Sequence, residues 1–177
     1  MPERGGTGSI DAAGVDPAFR SGLLELIPHL RAFARGLCGR PDLADDLVQD
    51  TVMRAWAARD RYEPGTNMKA WTFTILRNHF LNEIRRSSRM TEMPEGEDRP
   101  ELVAAASQED AVHVTDLQAA LDRLPEDRRE ALLLVGAGGF SYEEAALVCG
   151  VPAGTIKSRV ARGRAQLAAM LGDEPPA

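Results

Sequence analysis

The sequence predicts an all-α chain of two small helical domains joined by an acidic linker, and three observations predict it. Apolar residues recur at threes and fours through most of the chain, the period of an amphipathic helix. Hydrophobic residues make up 44% of the chain and aromatics only 5%, so aliphatic helix packing should dominate its cores. Between two such regions lies a stretch rich in carboxylates and proline that cannot bury a core.

Size and charge set the outer bounds. A chain of 177 residues holds one ordinary domain or two small ones. With 27 acidic and 21 basic residues its formal charge is −6, which argues against indiscriminate coating of nucleic acid. Any DNA contact must then come from local basic faces. No apolar run approaches the roughly 20 residues of a membrane span. The start, MPERGGTGSIDAAGVD, lacks the apolar core of a signal peptide, so a cytoplasmic location is expected. Cys38 and Cys149 read as small buried thiols in a reducing compartment. His29, His79 and His113 have no Cys or His at zinc spacing near them, so neither a metal nor another cofactor is expected.

Residues 1–15 are rich in Gly and small side chains and read as a mobile tail. From Asp16, Phe19, Leu23, Leu24, Ile27, Leu30, Phe33, Ala34 and Leu37 mark a first helix, with Pro28 expected to kink or restart it. Asp42 to about Asp60 forms a second. Leu43, Leu47, Val48, Thr51, Val52, Ala55 and Trp56 make its core side, while Asp45, Asp46, Gln49, Asp50, Met53 and Arg54 face out. That outer face is either a capped, solvated helix surface or a partner surface; periodicity does not choose.

After the turn YEPGTN (Tyr62 to Asn67), Met68 to Arg89 reads as a third helix anchored by Trp71, Ile75, Phe80, Leu81 and Ile84. Its polar side holds Lys69, Arg77, Asn78, His79, Asn82, Arg85, Arg86 and Arg89 against the single acid Glu83. Amides can read the edges of unstacked bases and rings can support them, though a basic solvated helix over a core explains the same residues. These elements compose a first domain at residues 16–90. The linker, 91–111, carries Glu92, Glu95, Glu97, Asp98, Glu101, Glu109 and Asp110 against Arg99 alone.

The second domain, 112–172, is expected to be a four-helix unit followed by a short tail, 173–177. Val114, Leu117, Leu121 and Leu124 stripe its first helix, and Pro125 opens the next at its first position. Gly136, Gly138 and Gly139 turn the chain into FSYEEAALVCGVPAGTIKSRVARGRAQLAAML (Phe140 to Leu171). There Ser141 and Glu144 form a capping box, Gly150 stops the helix, and Pro152 suits the first position of the last one. Ile156, Val160, Gly163 and Leu167 lay a buried stripe along that helix. Its outward residues Thr155, Lys157, Ser158, Arg159, Arg162 and Arg164 have no Asp or Glu among them, the chemistry of a helix in a DNA major groove.

The segments DLADDLVQDTVMRAW (Asp42 to Trp56), KAWTFTILRNHFLNEIRR (Lys69 to Arg86) and LPEDRREALLLV followed by FSYEEAALVCGVPAGTIKSRVARGRAQL resemble, in order, those of a group IV, extracytoplasmic-function sigma factor of bacterial RNA polymerase. The resemblance covers Asp16 to Leu171. The wording of LIPHLRAFAR, GTNMKAW and GFSYEEAA is similar to the EcfG-type general-stress sigma factors of alphaproteobacteria. It implies a non-enzymatic protein that binds core polymerase, through the β′ coiled coil and the β flap, and promoter DNA.

On this resemblance Asp46, Gln49, Asp50 and Met53 contact the β′ coiled coil. Asn78 and Asn82 hold a flipped base of the minus-ten element, with Arg85 and Arg86 on the backbone. Ser158, Arg159 and Arg162 face the minus-thirty-five duplex, and Thr155 and Lys157 its phosphates. Ala161 stands where some members carry a larger side chain, so it is not counted as a base contact. The resemblance also implies a NepR-like anti-sigma factor, and a linker that threads toward the RNA path. Two other classes fit less of the chain. A PhyR-type mimic that sequesters the anti-sigma would carry a receiver domain, and a stand-alone helix-turn-helix repressor leaves Asp42 to Arg89 unexplained.

Overall fold

The computed structural model describes residues 16–91 and 116–172, and among these there is no strand. Helix α1 spans Pro17–Cys38, α2 Pro41–Ala57, and a single 3-10 turn Arg59–Arg61 leads toward α3, Met68–Thr91. Residues 116–122 are helical (α4), followed by α5 at Glu126–Val135, α6 at Tyr142–Cys149 and α7 at Ala153–Leu171. The acidic linker, both chain ends and Val114 lie outside the described residues.

Local chemistry accounts for the helix starts. The Asp16 carboxylate accepts from the Ala18 N–H at 2.9 Å to begin α1, and the Asn67 amide oxygen accepts from Ala70 N–H at 3.0 Å to begin α3. The capping box at α6 is complete: Ser141 Oγ accepts from Glu144 N–H at 3.1 Å, and Glu144 Oε2 accepts from Ser141 N–H at 2.9 Å. That backbone bond, ahead of the other partners, holds the Glu144 carboxyl below its ordinary value. Ser141→Ala is expected to cost about 1 kcal/mol, read as a lowered urea midpoint at unchanged slope. Pro125 and Pro152 sit at the caps themselves, one residue ahead of the first helical position expected for them.

Pro28 does not restart α1. The helix runs through it, with Leu24, the residue four back whose carbonyl loses its N–H partner, 54% exposed. Leu24 is therefore not a core residue. Leu43 and Leu117 are likewise turned out, at 44% and 42% exposure, and on α2 the fully buried Ala44 takes the place expected of Leu43.

Helix α3 is buried on two sides. One side, with Trp71 and Ile75, meets Phe19, Leu23, Ala55, Trp56 and Tyr62 in an aromatic cluster, with Phe19 5.6 Å from Tyr62 and Tyr62 5.3 Å from Trp71 between ring centroids. The other carries Ala70, Phe73 and Leu76 into the main core, so the expected anchors Trp71, Ile75, Phe80, Leu81 and Ile84 are only half-buried. Arg77 and His79 leave the polar side expected of them, since each is turned in to a carboxylate on another helix.

The main core is continuous across the two halves of the chain. Leu30, Phe33 and Leu37 of α1 and Phe73 of α3 share it with Leu134 of α5, Phe140, Val148 of α6 and Ile156 and Val160 of α7. Phe73 packs edge-on to Phe140 at 4.8 Å, and Lys69 places its ammonium 4.4 Å above the Phe140 ring. Asn67 links two caps. While its oxygen caps α3, its Nδ2 donates to Glu144 Oε1 at 2.8 Å. Arg77 and Glu130 form a forked ion pair across the same seam, with Nη2 3.3 Å from Oε2.

Candidate nucleic-acid and partner interfaces

Three helix faces carry the residues that the sequence singled out. On α7, buried Ile156, Val160 and Gly163 fix the inner stripe, which turns Lys157, Ser158, Ala161, Arg162 and Arg164 outward. The preceding turn depends on Gly150, at φ 67°, a left-handed conformation that disfavours any Cβ. Close packing sets the angle of α7 on α5: a Cβ at Gly163 would lie 2.7 Å from Leu132 Cδ1. Lys157 and Arg162 are exposed, and Thr155 is half-buried at the helix start. Ser158 Oγ donates to the Thr155 carbonyl at 2.9 Å, so as packed it offers an incoming group only its acceptor lone pairs. Arg159 is committed to its own module, its Nε 3.1 Å from Asp127 Oδ2 on α5. With the Asp127 side chain 49% exposed, that pair is worth at most about 1 kcal/mol and can be exchanged for another acceptor.

On α3, Asn78, Asn82, Arg85 and Arg86 are all exposed, with Asn82 four residues after Asn78 and Arg85 and Arg86 three and four after Asn82. Two carboxamides and two guanidinium groups thus stand in a row, with the buried side of the helix fixed by Phe73 and Leu76.

On α2, Asp46, Gln49, Asp50 and Met53 are exposed on one face, Met53 to 63%. Leu43 joins them: with Asp46, Asp50 and Met53 it lies at steps of three, four and three, so the row has an apolar residue at each end and carboxylates between. Sequence reasoning missed it by counting every leucine as core. The signal was the stripe through Ala44, Leu47, Val48, Thr51 and Ala55, which is complete without Leu43. Asp50 is also bonded, its Oδ2 3.1 Å from Nε2 of the buried His79 on α3.

The two cysteines end α1 and α6 and are free. Burial pushes the Cys38 thiol up to about 11 and the Cys149 thiol up to about 12, with nearby Glu130 adding to the second. Both are thiols rather than thiolates at neutral pH. Among the described residues, no helix is long and apolar enough to cross a membrane, and no group of three His, Cys, Asp or Glu side chains could hold a metal ion.

Comparison with known proteins matches the two halves of the chain to two families of modules. Residues 24–90 match sigma-70 region 2 and residues 115–167 match sigma-70 region 4. The chain is 49% identical over 154 residues to the ECF RNA polymerase sigma factor EcfG of Rhodopseudomonas palustris, covering 87% of this chain and 85% of that one. It is similar in structure to the sigma factor RpoE of Bartonella quintana solved with the anti-sigma factor NepR, with a TM-score of 0.80 and 46% identity over 88% of this chain and 97% of that one. CnrH, solved with the cytosolic domain of CnrY, is also similar, at a TM-score of 0.64 and 27% identity over 92% and 93% of the two chains. With both region 2 and region 4 present in order, and close identity along most of its length, the chain belongs to the extracytoplasmic-function sigma factors of bacterial RNA polymerase.

Proposed function

We propose that the chain works in the cytoplasm as a promoter-recognition factor that acts by binding alone, in two domains of residues 16–90 and 112–172. The α2 row, Asp46, Gln49, Asp50 and Met53 with Leu43 added, binds the β′ coiled coil of core polymerase. The α3 row holds an unstacked base of the minus-ten element between Asn78 and Asn82, while Arg85 and Arg86 neutralise the backbone. Extrusion of a base costs a few kcal/mol, and a site that binds the extruded form shifts the duplex toward opening. Helix α7 reads the minus-thirty-five element as duplex, with Arg162 and Ser158 toward base edges and Thr155, Lys157 and the helix N-terminus toward phosphates. Arg159 joins them by leaving Asp127.

The observation that carries this reading is the exposed row Asn78, Asn82, Arg85, Arg86 in a chain that also holds a helix-turn-helix. A repressor needs only the second. Linking two modest sites through one polymerase-bound scaffold supplies avidity that neither has alone. The free chain, at net charge −6, should bind DNA poorly. The EcfG-type resemblance of the sequence implies a general-stress role, and the RpoE structure with NepR supports control by a NepR-like anti-sigma factor.

Runoff transcription with core polymerase tests the assignment. Arg162→Ala is expected to lose promoter discrimination equivalent to about 1–3 kcal/mol, with nonspecific initiation kept. Asn78→Ala should leave duplex binding intact and reduce the open complex, read by permanganate reactivity of the melted bases. Equal activity of wild type and both variants on one template would refute the residue roles. Failure of the wild type to bind core polymerase would refute the function.

A further inference from the structure

We propose that His79, on the promoter-opening helix α3, is a positioning residue for the polymerase contact made by Asp50 on α2. The inference rests on the reading of α2 as the polymerase-binding helix. His79 is 8% exposed, so it meets neither polymerase nor DNA in quantity, although its neighbour Asn78 is exposed. Its Nε2 lies 3.1 Å from Asp50 Oδ2. Whether the imidazole is neutral with Nε2 protonated or charged, that nitrogen donates to the carboxylate. The bond takes one oxygen of Asp50 and leaves the side chain 55% exposed, open to a second partner.

An exposed aspartate on a helix otherwise samples several rotamers, and immobilising a side chain on binding costs conformational entropy. His79 removes part of that loss beforehand by holding the carboxylate at one orientation. Its place on α3 also joins two functions. His79 lies between Asn78 and Asn82, the two amides assigned to the extruded base, so the donor that fixes Asp50 and those amides share one helix.

The test is a double-mutant cycle on the full chain, with affinity for core polymerase measured for wild type, Asp50→Asn, His79→Ala, His79→Gln and the double variant His79→Ala with Asp50→Asn. Urea midpoints measured in parallel separate folding from binding. His79→Ala is expected to weaken binding about fivefold when Asp50 is present and less than about twofold when Asp50→Asn is already in place. His79→Gln, which keeps an N–H donor within reach of the carboxylate, should recover most of the affinity; a merely space-filling role would not be rescued this way. Equal losses from His79→Ala in the two backgrounds, or no loss, would overturn the proposal. If Asp50→Asn binds core polymerase as well as wild type does, the contact role of Asp50 fails and the proposal with it. Failure of wild type to bind at all would instead strike the sigma reading.

Discussion

Phe73→Ala is expected to lower the unfolding free energy by about 3–5 kcal/mol, more than any change on the three binding faces. The ring is fully buried in α3, with centroids 5.2 Å from Phe33 of α1 and 4.8 Å from Phe140 beside α6. Removing it forfeits the transfer of a large apolar group and leaves a cavity between two aromatic rings that cannot both collapse into it. Aromatic pairing adds about 0.5–1.5 kcal/mol per pair to what is lost. Phe140→Ala provides the control. It deletes the partner on the C-terminal side while Phe33, Phe73 and Leu30 still pack together, so its loss should be smaller and confined to the seam. Urea unfolding of both variants beside wild type reads the difference, with a lowered midpoint for each and the larger drop for Phe73→Ala. A loss under about 1 kcal/mol for Phe73→Ala would mean that the two aromatic contacts are not the core of the folded chain.

Phe73 is also where the sequence was hardest to read. The helix-turn-helix was legible because each of its signals is local: Ser141 and Glu144 are three residues apart, Gly150 terminates α6, and the inner stripe of α7 follows from its own spacing. In α3 the spacing shows one buried side, that of Trp71 and Ile75, because α1 and α2 cover it. The second side meets Phe33 of α1 but is closed over only when α5 and α6 fold onto it from across the linker, at sequence separations of 50 residues and more, as with Arg77 and Glu130. Ala70, Phe73, Leu76 and Phe80 recur at helical spacing, but no periodicity within α3 says which helices supply that cover.

Tertiary packing likewise hid the fates of Arg77, whose partner lies across the linker, and His79, whose partner lies on α2 of the same half. Each is a polar residue on a basic helix, and each reads as solvent-facing until another helix brings a carboxylate to it. The residues assigned to DNA and polymerase fared differently. Asn78, Asn82, Arg85, Arg86, Asp46, Gln49, Asp50 and Met53 are exposed, because they lie opposite the buried stripes of their own helices and no other helix is brought over them. Arg159 alone among the α7 candidates is drawn to a neighbour, because α5 begins with two acids and its second, Asp127, falls within reach.

Glu130→Ala is expected to destabilise the folded chain by about 3 kcal/mol and to loosen the seam between its two halves. Burial opposes the charge of Arg77, yet the Glu130 carboxylate outweighs it and holds the guanidinium above its ordinary value. The two side chains are 20% and 7% exposed, so without Glu130 the cation would remain against an apolar seam with water reaching only its edge. Replacing both members, Arg77→Met with Glu130→Leu, removes the stranded charge and should recover most of the loss, which separates the ion pair from the packing around it. Cys149 gives a local readout. Its thiol is 8% exposed and pushed up to about 12, first by burial and then by Glu130, so alkylation near pH 8 should be slow in the wild type. Removing Glu130 acts twice in the same direction, taking away a negative neighbour that suppresses the thiolate and opening the seam that covers it, so labelling should accelerate. Helices α3 and α7 are held by this shared core, whereas promoter elements are spaced along a duplex at about 3.4 Å per base pair. Unchanged Cys149 labelling together with an unchanged urea midpoint would show that the ion pair does not hold the halves together.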